Sequence, residues 1–217
     1  TNRTTQVREE ALQQLQKQQL PNGGWSWMKG MPASRHITLQ ILKGMAQLIQ
    51  LNAVSYNQTE KEMQMKALRF LDQSIQEDYE QLLKIKGKPT AIPSDDQVEY
   101  LFVRSFYRDI PELGEAREAI RYYTRQAATN WKEYGLYSRA AIAWLMHQNG
   151  KKETTQDIVA WFRKTATDHA EKGMYWANNR NTFASNRSAI ETHCLIMALF
   201  QQTDPNQEQT DRMKQWL

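Results

Sequence analysis

The chain has 217 residues and a formal charge of +4, from 28 Lys and Arg against 24 Asp and Glu, and its cations are scattered among acids rather than gathered into the basic face that nucleic acid requires. Apolar residues make up 40%, with seven Trp and nine Tyr, which supplies a sizeable core and excludes a disordered chain. No apolar run reaches the ~18 residues of a bilayer span, and no apolar stretch follows a basic start as in a targeting leader.

Apolar residues recur at helical spacing along nearly the whole sequence, and no segment alternates with period two for long enough to suggest a sheet, so the fold class is all-α. The abundant Gln, Lys, Arg and Glu that lower the mean hydropathy to −0.77 are good helix formers on solvated faces. The first predicted helix runs from about Thr5 to Gln19 and places Val7, Ala11, Leu12 and Leu15 on one stripe. After Leu20-Pro21-Asn22-Gly23-Gly24 and an aromatic segment, Ser34 N-caps a helix from Arg35 to Leu51 whose faces are less unequal. A long polar-faced helix from Glu60 to Ile85 ends at Gly87 and Pro89, and a shorter one follows Ser94-Asp95-Asp96. Glu115 to Tyr134 is amphipathic and stops at Gly135; Leu136 to Gln148 is almost wholly apolar and ends at Asn149-Gly150. Glu153 to Ala170 pairs with Arg187 to Gln202, and a ninth helix starts near Asn206.

Long polar-faced helices thus alternate with shorter apolar ones, the pattern required by the outer and inner layers of an α/α ring, or toroid. An odd number of helices, the last still running at Leu217, makes the expected ring incomplete and the chain a fragment of a larger multidomain protein. No Pro/Gly/Ser-rich linker divides it, so residues 1–217 read as a single helical α/α-toroid domain.

The most specific local signal is Gln19-x-x-x-Gly23-Gly24-Trp25, followed by Ser26 and Trp27. A helix ends, glycines permit a tight reversal, and an aromatic ring packs back across the helix ends. Gly173-Met174-Tyr175-Trp176 is a second, degenerate copy, again just before an apolar helix, which argues for a repeated helical unit.

At these residues the chain is similar to the repeat of terpenoid cyclases and other α/α toroids. More closely, it resembles the thioester-containing helical domain of the alpha-2-macroglobulin family, bacterial type. The resemblance is carried by Gln19 to Trp27, by Ser34-Arg35-His36-Ile37-Thr38, by Gly135-Leu136-Tyr137-Ser138-Arg139-Ala140, by Gly173 to Trp176 and by Ile190-Glu191-Thr192, in the family's order over most of the chain. It implies a module of a large endopeptidase inhibitor that entraps proteases, placed in the periplasm or bacterial cell envelope. The partners it implies are proteases, met through the full-length protein, and flanking domains of the same chain; no nucleic acid and no membrane contact is expected of this portion. The family's covalent arm is an internal thioester in a Cys-x-Glu-Gln motif. Cys194 is followed by Leu195, Ile196 and Met197, so that motif is not in this sequence: by the resemblance it lies upstream of Thr1 or has been lost.

Sharper chemistry has plainer competitors. The lone Cys194 excludes an internal disulfide and a multi-cysteine metal cage, and reads as a buried structural cysteine. His193 and Cys194 lie about 100° apart on a helix, the wrong geometry for one zinc ion. Asp95-Asp96-Gln97-Val98-Glu99 has the spacing of a magnesium-diphosphate motif, yet acids after Ser94 equally cap a helix and favour its dipole, and no second motif supports a metal. His36 reads as a surface or capping histidine. Trp25, Trp27, Arg35, His36, Tyr175 and Trp176 are the candidate binding residues, with core sealing as the plainer role for the aromatics. No catalytic residue, metal or cofactor is assigned; the expected function is that of a non-enzymatic protein-binding module, the alternative a cyclase-like or glycan-processing α/α-barrel enzyme.

Overall fold

A computed structural model describes residues 2–50, 57–85, 91–180 and 188–217. Among these residues the chain forms nine α-helices, and the all-α reading holds. They are α1 (Asn2–Gln18), α2 (Arg35–Gln50), α3 (Gln58–Lys84), α4 (Asp95–Arg104), α5 (Arg117–Thr129), α6 (Leu136–Gln148), α7 (Lys152–Thr165), α8 (Ala189–Thr203) and α9 (Gln207–Trp216). Leu51, Gly87, Pro89 and Arg187, which the sequence places at helix ends, lie outside the described residues.

Two predicted helices are shorter than their periodicity suggests. The helix expected over 115–134 is framed by single 3-10 turns at Gly114–Ala116 and Trp131–Glu133. The second tightens the chain so that Trp131 and Tyr134 are buried, with the Tyr134 hydroxyl donating to Pro93 O at 2.6 Å. The helix expected to reach Ala170 stops at Thr165, and the chain continues as an antiparallel hairpin of β1 (Thr167–His169) and β2 (Gly173–Tyr175). Strands of three residues carry too little alternation to be read from sequence.

The chain gathers into two compact units, one of Thr1–Ala91 with Val103–Tyr123, the other of Ile92–Phe102 with Thr124–Leu217. In the first, α3 buries a single stripe, Met63, Ala67, Leu68, Leu71, Ile75 and Tyr79, while its other face stays in water. Its start is a capping box: Asn57 Oδ1 accepts from Glu60 N at 2.8 Å and Glu60 Oε2 from Asn57 N at 3.1 Å. Leu39, Leu42, Met45 and Ala46 of α2 are buried, and the Tyr107 hydroxyl donates to Leu42 O at 2.5 Å.

Within this core lies an ion pair. Asp72 Oδ1 accepts from Arg104 Nε at 3.1 Å, with side chains 2% and 5% exposed. Its other oxygen accepts from Leu113 N at 2.9 Å, and the remaining Arg104 nitrogens donate to Tyr107 O and Ile110 O, both at 2.9 Å. The pair therefore folds segment 104–113 onto α3.

In the second unit α6 is buried on nearly every side, from Tyr137 to Met146, as its uniformly apolar sequence requires. Tyr137 and Trp144 meet Phe102 edge-on at 6.4 and 6.3 Å. Arg139 lies 4.1 Å over the Trp161 ring and donates to Tyr134 O at 2.6 Å. Helix α7 buries only Thr155, Ile158, Val159 and Phe162, a one-sided stripe like that of α3.

Asp72→Ala leaves the Arg104 guanidinium buried without its counter-charge. We expect a loss of about 3–5 kcal/mol in urea unfolding of the first unit; a loss under 1 kcal/mol would mean that the pair does not hold segment 104–113.

Candidate functional site

The two glycine-tryptophan turns have one construction. In the first unit, Leu15 O in the last turn of α1 accepts the amide of Gln19 at 3.0 Å and the Trp25 indole N–H at 2.8 Å. In the second, Phe162 O in the last turn of α7 accepts the amide of Ala166 at 3.1 Å and the Trp176 indole N–H at 3.0 Å. Each tryptophan thus satisfies its only side-chain donor on a carbonyl of the helix's last turn, which accepts it in addition to the helix amide.

The glycines are required by the backbone that passes beside them. Gly23 has φ +92°, and a Cβ there would stand 2.2 Å from Lys66 O in α3; Gly173 has φ +72°, and a Cβ would stand 2.1 Å from Arg212 O in α9. Both turns are therefore pressed onto the backbone of a later helix. Further side chains seal them: Gln19 Nε2 donates to Gly23 O at 2.8 Å and Met63 O at 2.9 Å, while Gln215 Nε2 donates to Glu171 O at 2.9 Å and Arg212 pairs with Asp168.

The helix after each turn starts alike. Ser34 Oγ accepts from Ile37 N at 3.3 Å and Ser188 Oγ from Glu191 N at 2.9 Å. Four residues on, Thr38 and Thr192 return their hydroxyls to Ser34 O and Ser188 O at 2.8 and 3.2 Å. The Ser-x-x-x-Thr spacing, at 34–38 and 188–192, is a sequence signal of the repeat that the glycine-tryptophan motif alone does not contain.

The six candidate residues separate accordingly. Trp25 and Trp176, 2% and 1% exposed with their N–H groups committed, present no face to a ligand. Tyr175 is half-buried and stacks on Trp216 at 6.5 Å. Arg35 is held by Asp78 through two bonds, 2.6 and 3.0 Å, and by Ser74 O at 2.9 Å. Trp27 differs: it is 64% exposed and stacks on His36 at 5.9 Å with an interplanar angle of 11°. It sits on the loop 26–33, closed at its neck by Ser34 N donating to Trp25 O at 2.7 Å, which also exposes Met28 (66%) and Met31 (46%). The structure thus brings Trp27 and His36 together with Arg35 next in the chain, and it adds the exposed methionines, which no sequence motif marks.

The acidic segment at the start of α4 is engaged structurally. Ser94 Oγ accepts from Gln97 N at 3.2 Å and Gln97 Oε1 from Ser94 N at 3.0 Å, a capping box, and Asp95 accepts the Ser138 hydroxyl at 2.6 Å. Burial, and then the nearby Asp95 carboxylate, push the Tyr134 hydroxyl well above its usual range. Among the described residues no three His, Cys, Asp or Glu side chains converge as a ligand set. Cys194 is half-buried rather than buried, because its side of α8 is only partly covered; burial still raises its thiol above the ordinary value.

His193, by contrast, is fully buried. Its Nε2 donates to Met213 O at 2.9 Å, its ring stacks on Trp216 at 4.4 Å, and Nδ1 has no hydrogen-bond partner. Burial, opposed by the bond to Met213, depresses its pKa below 6.5. The first unit has the apolar Leu39 at the same place, one residue after the helix-start threonine.

Comparison with known protein families, curated proteins and solved structures finds no match.

Two outcomes are expected from this geometry. Gly173→Ala strains the backbone and drives a methyl into Arg212 O, costing about 3 kcal/mol in chemical denaturation, whereas Gly150→Ala, at φ +70° with nothing within 4 Å, costs about 1 kcal/mol; equal losses would remove the helix contact as the cause. For His193, the unfolded chain takes up a proton at a higher pH than the folded one. The second unit therefore loses stability as pH falls below 6.5, and His193→Leu flattens that dependence in melts between pH 7.5 and 5. An unchanged pH slope in the variant would show that His193 is not its source.

Proposed function

We propose that the chain is the thioester-domain-like helical module of a bacterial alpha-2-macroglobulin-type protease trap, acting by protein–protein contact and conformational entrapment rather than by turnover of its own. The observation that carries this reading is the doubled turn: a helix C-terminal carbonyl taken by an indole N–H, a glycine pressed on a later helix, and a Ser-x-x-x-Thr start to the helix between. A repeat of that kind supports paired helices stacked around a closed or partial α/α ring. The nearly all-round burial of α6, beside the one-sided burial of α3 and α7, supports inner and outer layers.

The contact surface we assign to this module is the Trp27 loop. Trp, Met and Arg are the residue types enriched at protein interfaces, and here an exposed Trp is braced by His36 beside an Arg35 fixed to Asp78. Periplasmic or cell-envelope residence follows from the same reading, with proteases and flanking domains as partners.

Entrapment has a particular signature, because a caged protease remains open to small molecules. A polypeptide carrying this chain with its natural flanking sequences, mixed with an endopeptidase, should block hydrolysis of casein while sparing a short chromogenic peptide. Trp27→Ala should weaken that protection about tenfold or more while leaving the melting temperature in place. Equal loss of both activities, or no protection at all, would defeat the reading.

A further inference from the structure

Helices α3 and α9 take the same place in their units: each lays a backbone carbonyl, Lys66 O or Arg212 O, against the glycine of the turn. They are held there differently. In the first unit the position after the helix-start threonine is Leu39, and α3 brings a buried apolar stripe that begins with Met63 and Ala67. In the second unit that position is His193, whose Nε2 donates to Met213 O, the carbonyl next in the chain after Arg212. The buried side chains of α9 are Thr210 and Met213. Its other polar ties lie at the surface, where Arg212 pairs with Asp168 and Gln215 donates to Glu171 O. The imidazole is thus a buried polar link between α8 and α9, at a point where the repeat packs equally well with a leucine.

The link exists in one protonation state. Met213 O only accepts, so Nε2 carries the proton of the neutral ring and Nδ1 presents a lone pair. Nδ1 has no hydrogen-bond partner and the ring is fully buried. A second proton must go to Nδ1, where the new N–H meets no acceptor and the new charge meets no water. The ring neighbours are Trp216, stacked at 4.4 Å, and Trp176, edge-on at 5.8 Å. An indole face attracts a cation, but it does not replace a hydrogen-bond acceptor for a buried N–H.

No charge offsets that cost. On α9, Glu208 is exposed, Asp211 and Lys214 pair at the surface, and Arg212 is held by Asp168. On the hairpin, His169, Glu171 and Lys172 are exposed; on α7, Arg163 pairs with Asp204. On α6, Arg139 lies over Trp161 and His147 is in the last turn, while α8 itself carries Glu191 in its first turn and the half-buried Cys194. Burial and the Met213 bond act on the His193 ring, and none of these charges does.

We propose that His193 is an acid-operated latch: a proton on Nδ1 ends the fit of the ring against Met213 and Trp216 and frees α9 from α8 and β2, while α6, α7 and α8 stay folded. Release brings water to the imidazole, which supplies the missing acceptor, and uncovers Gly173–Tyr175. The latch is independent of the protease-trap reading: it needs only the packing of the second unit.

Amide hydrogen exchange of the 217-residue chain at pH 7.5 and 5.5, with each rate taken relative to the unfolded-chain rate at that pH, tests it. A released imidazole that titrates at its ordinary 6.5 makes opening about tenfold easier at the lower pH. Protection over Gln207–Trp216 should therefore fall about tenfold. That exchange should be indifferent to urea below about 1 M, because local opening exposes little surface, whereas α6 stays more protected and responds to urea. These two readouts require no variant to fold. His193→Leu, the residue of the first unit, and His193→Met, a second residue that does not titrate, should leave α9 equally protected at both pH values. His169→Gln, which removes the imidazole of the hairpin, should keep the tenfold fall. The proposal fails if α9 protection is the same at both pH values, if α9 and α6 share one protection and one urea response, if a folded His193 variant keeps the fall, or if His169→Gln removes it.

Discussion

Each compact unit depends on one helix-end carbonyl that accepts an indole N–H beside its helix amide. Leu15 O and Phe162 O sit in the last turn of a helix, where the regular i to i−4 ladder runs out, and each takes both the capping amide and an indole N–H. The tryptophan must come back across the helix end to reach it, so the chain must reverse within a few residues. A buried indole N–H without that acceptor would cost about 1–3 kcal/mol, which makes the return geometry directional rather than a matter of apolar area alone. The glycine is a consequence of the reversal. With the ring seated, the turn lies against the backbone of α3 or α9, and only a residue lacking Cβ fits beside the carbonyl there.

The order of these causes explains why some features are legible in the sequence and others are not. Gly23-Gly24-Trp25 and Gly173 to Trp176 are legible because spacing alone marks a reversal and then an aromatic, and the repeat itself can be seen. The helices are legible from their period, and the N-caps Ser34 and Ser94 from residue type. The partner of each turn is not: nothing local in the sequence says that Lys66 O or Arg212 O will lie against the glycines. Nor does anything local pair Asp72 with Arg104, since both read as solvated charges on helices until the fold buries them. The hairpin at 167–175 escapes for a different reason. Its strands are too short to show alternation, and the contacts that hold them come from far along the chain, with Gly173 against Arg212 O and Arg212 paired with Asp168.

Among the candidate site residues the same logic decides the outcome. Trp25 and Trp176 stand out in the sequence as aromatics beside glycine, and that is the reason they are consumed by the fold. Trp27 is two residues beyond the anchor, past the point where the geometry constrains the chain, and so it faces water. Its exposure is not predictable from residue type, because a tryptophan near a helix end ordinarily seals a core.

The two units share a frame and differ where the frame permits. Both fix the indole, the glycine and the Ser-x-x-x-Thr start; they differ in how the chain approaches the glycine. The first unit reaches Gly23 directly from α1 and then carries the exposed loop 26–33, whereas the second reaches Gly173 through a hairpin held by Arg212 and Gln215. Connections between fixed elements can change without disturbing a core, which is why recognition residues collect there. A core position also differs, with His193 occupying in the second unit the place that Leu39 has in the first. Leucine at that place is sufficient for packing, so the frame alone does not explain a buried imidazole whose second nitrogen is left unsatisfied. Its consequence is physical whatever its origin: the second unit carries a group that resists protonation in the fold, and the first carries none at the corresponding point.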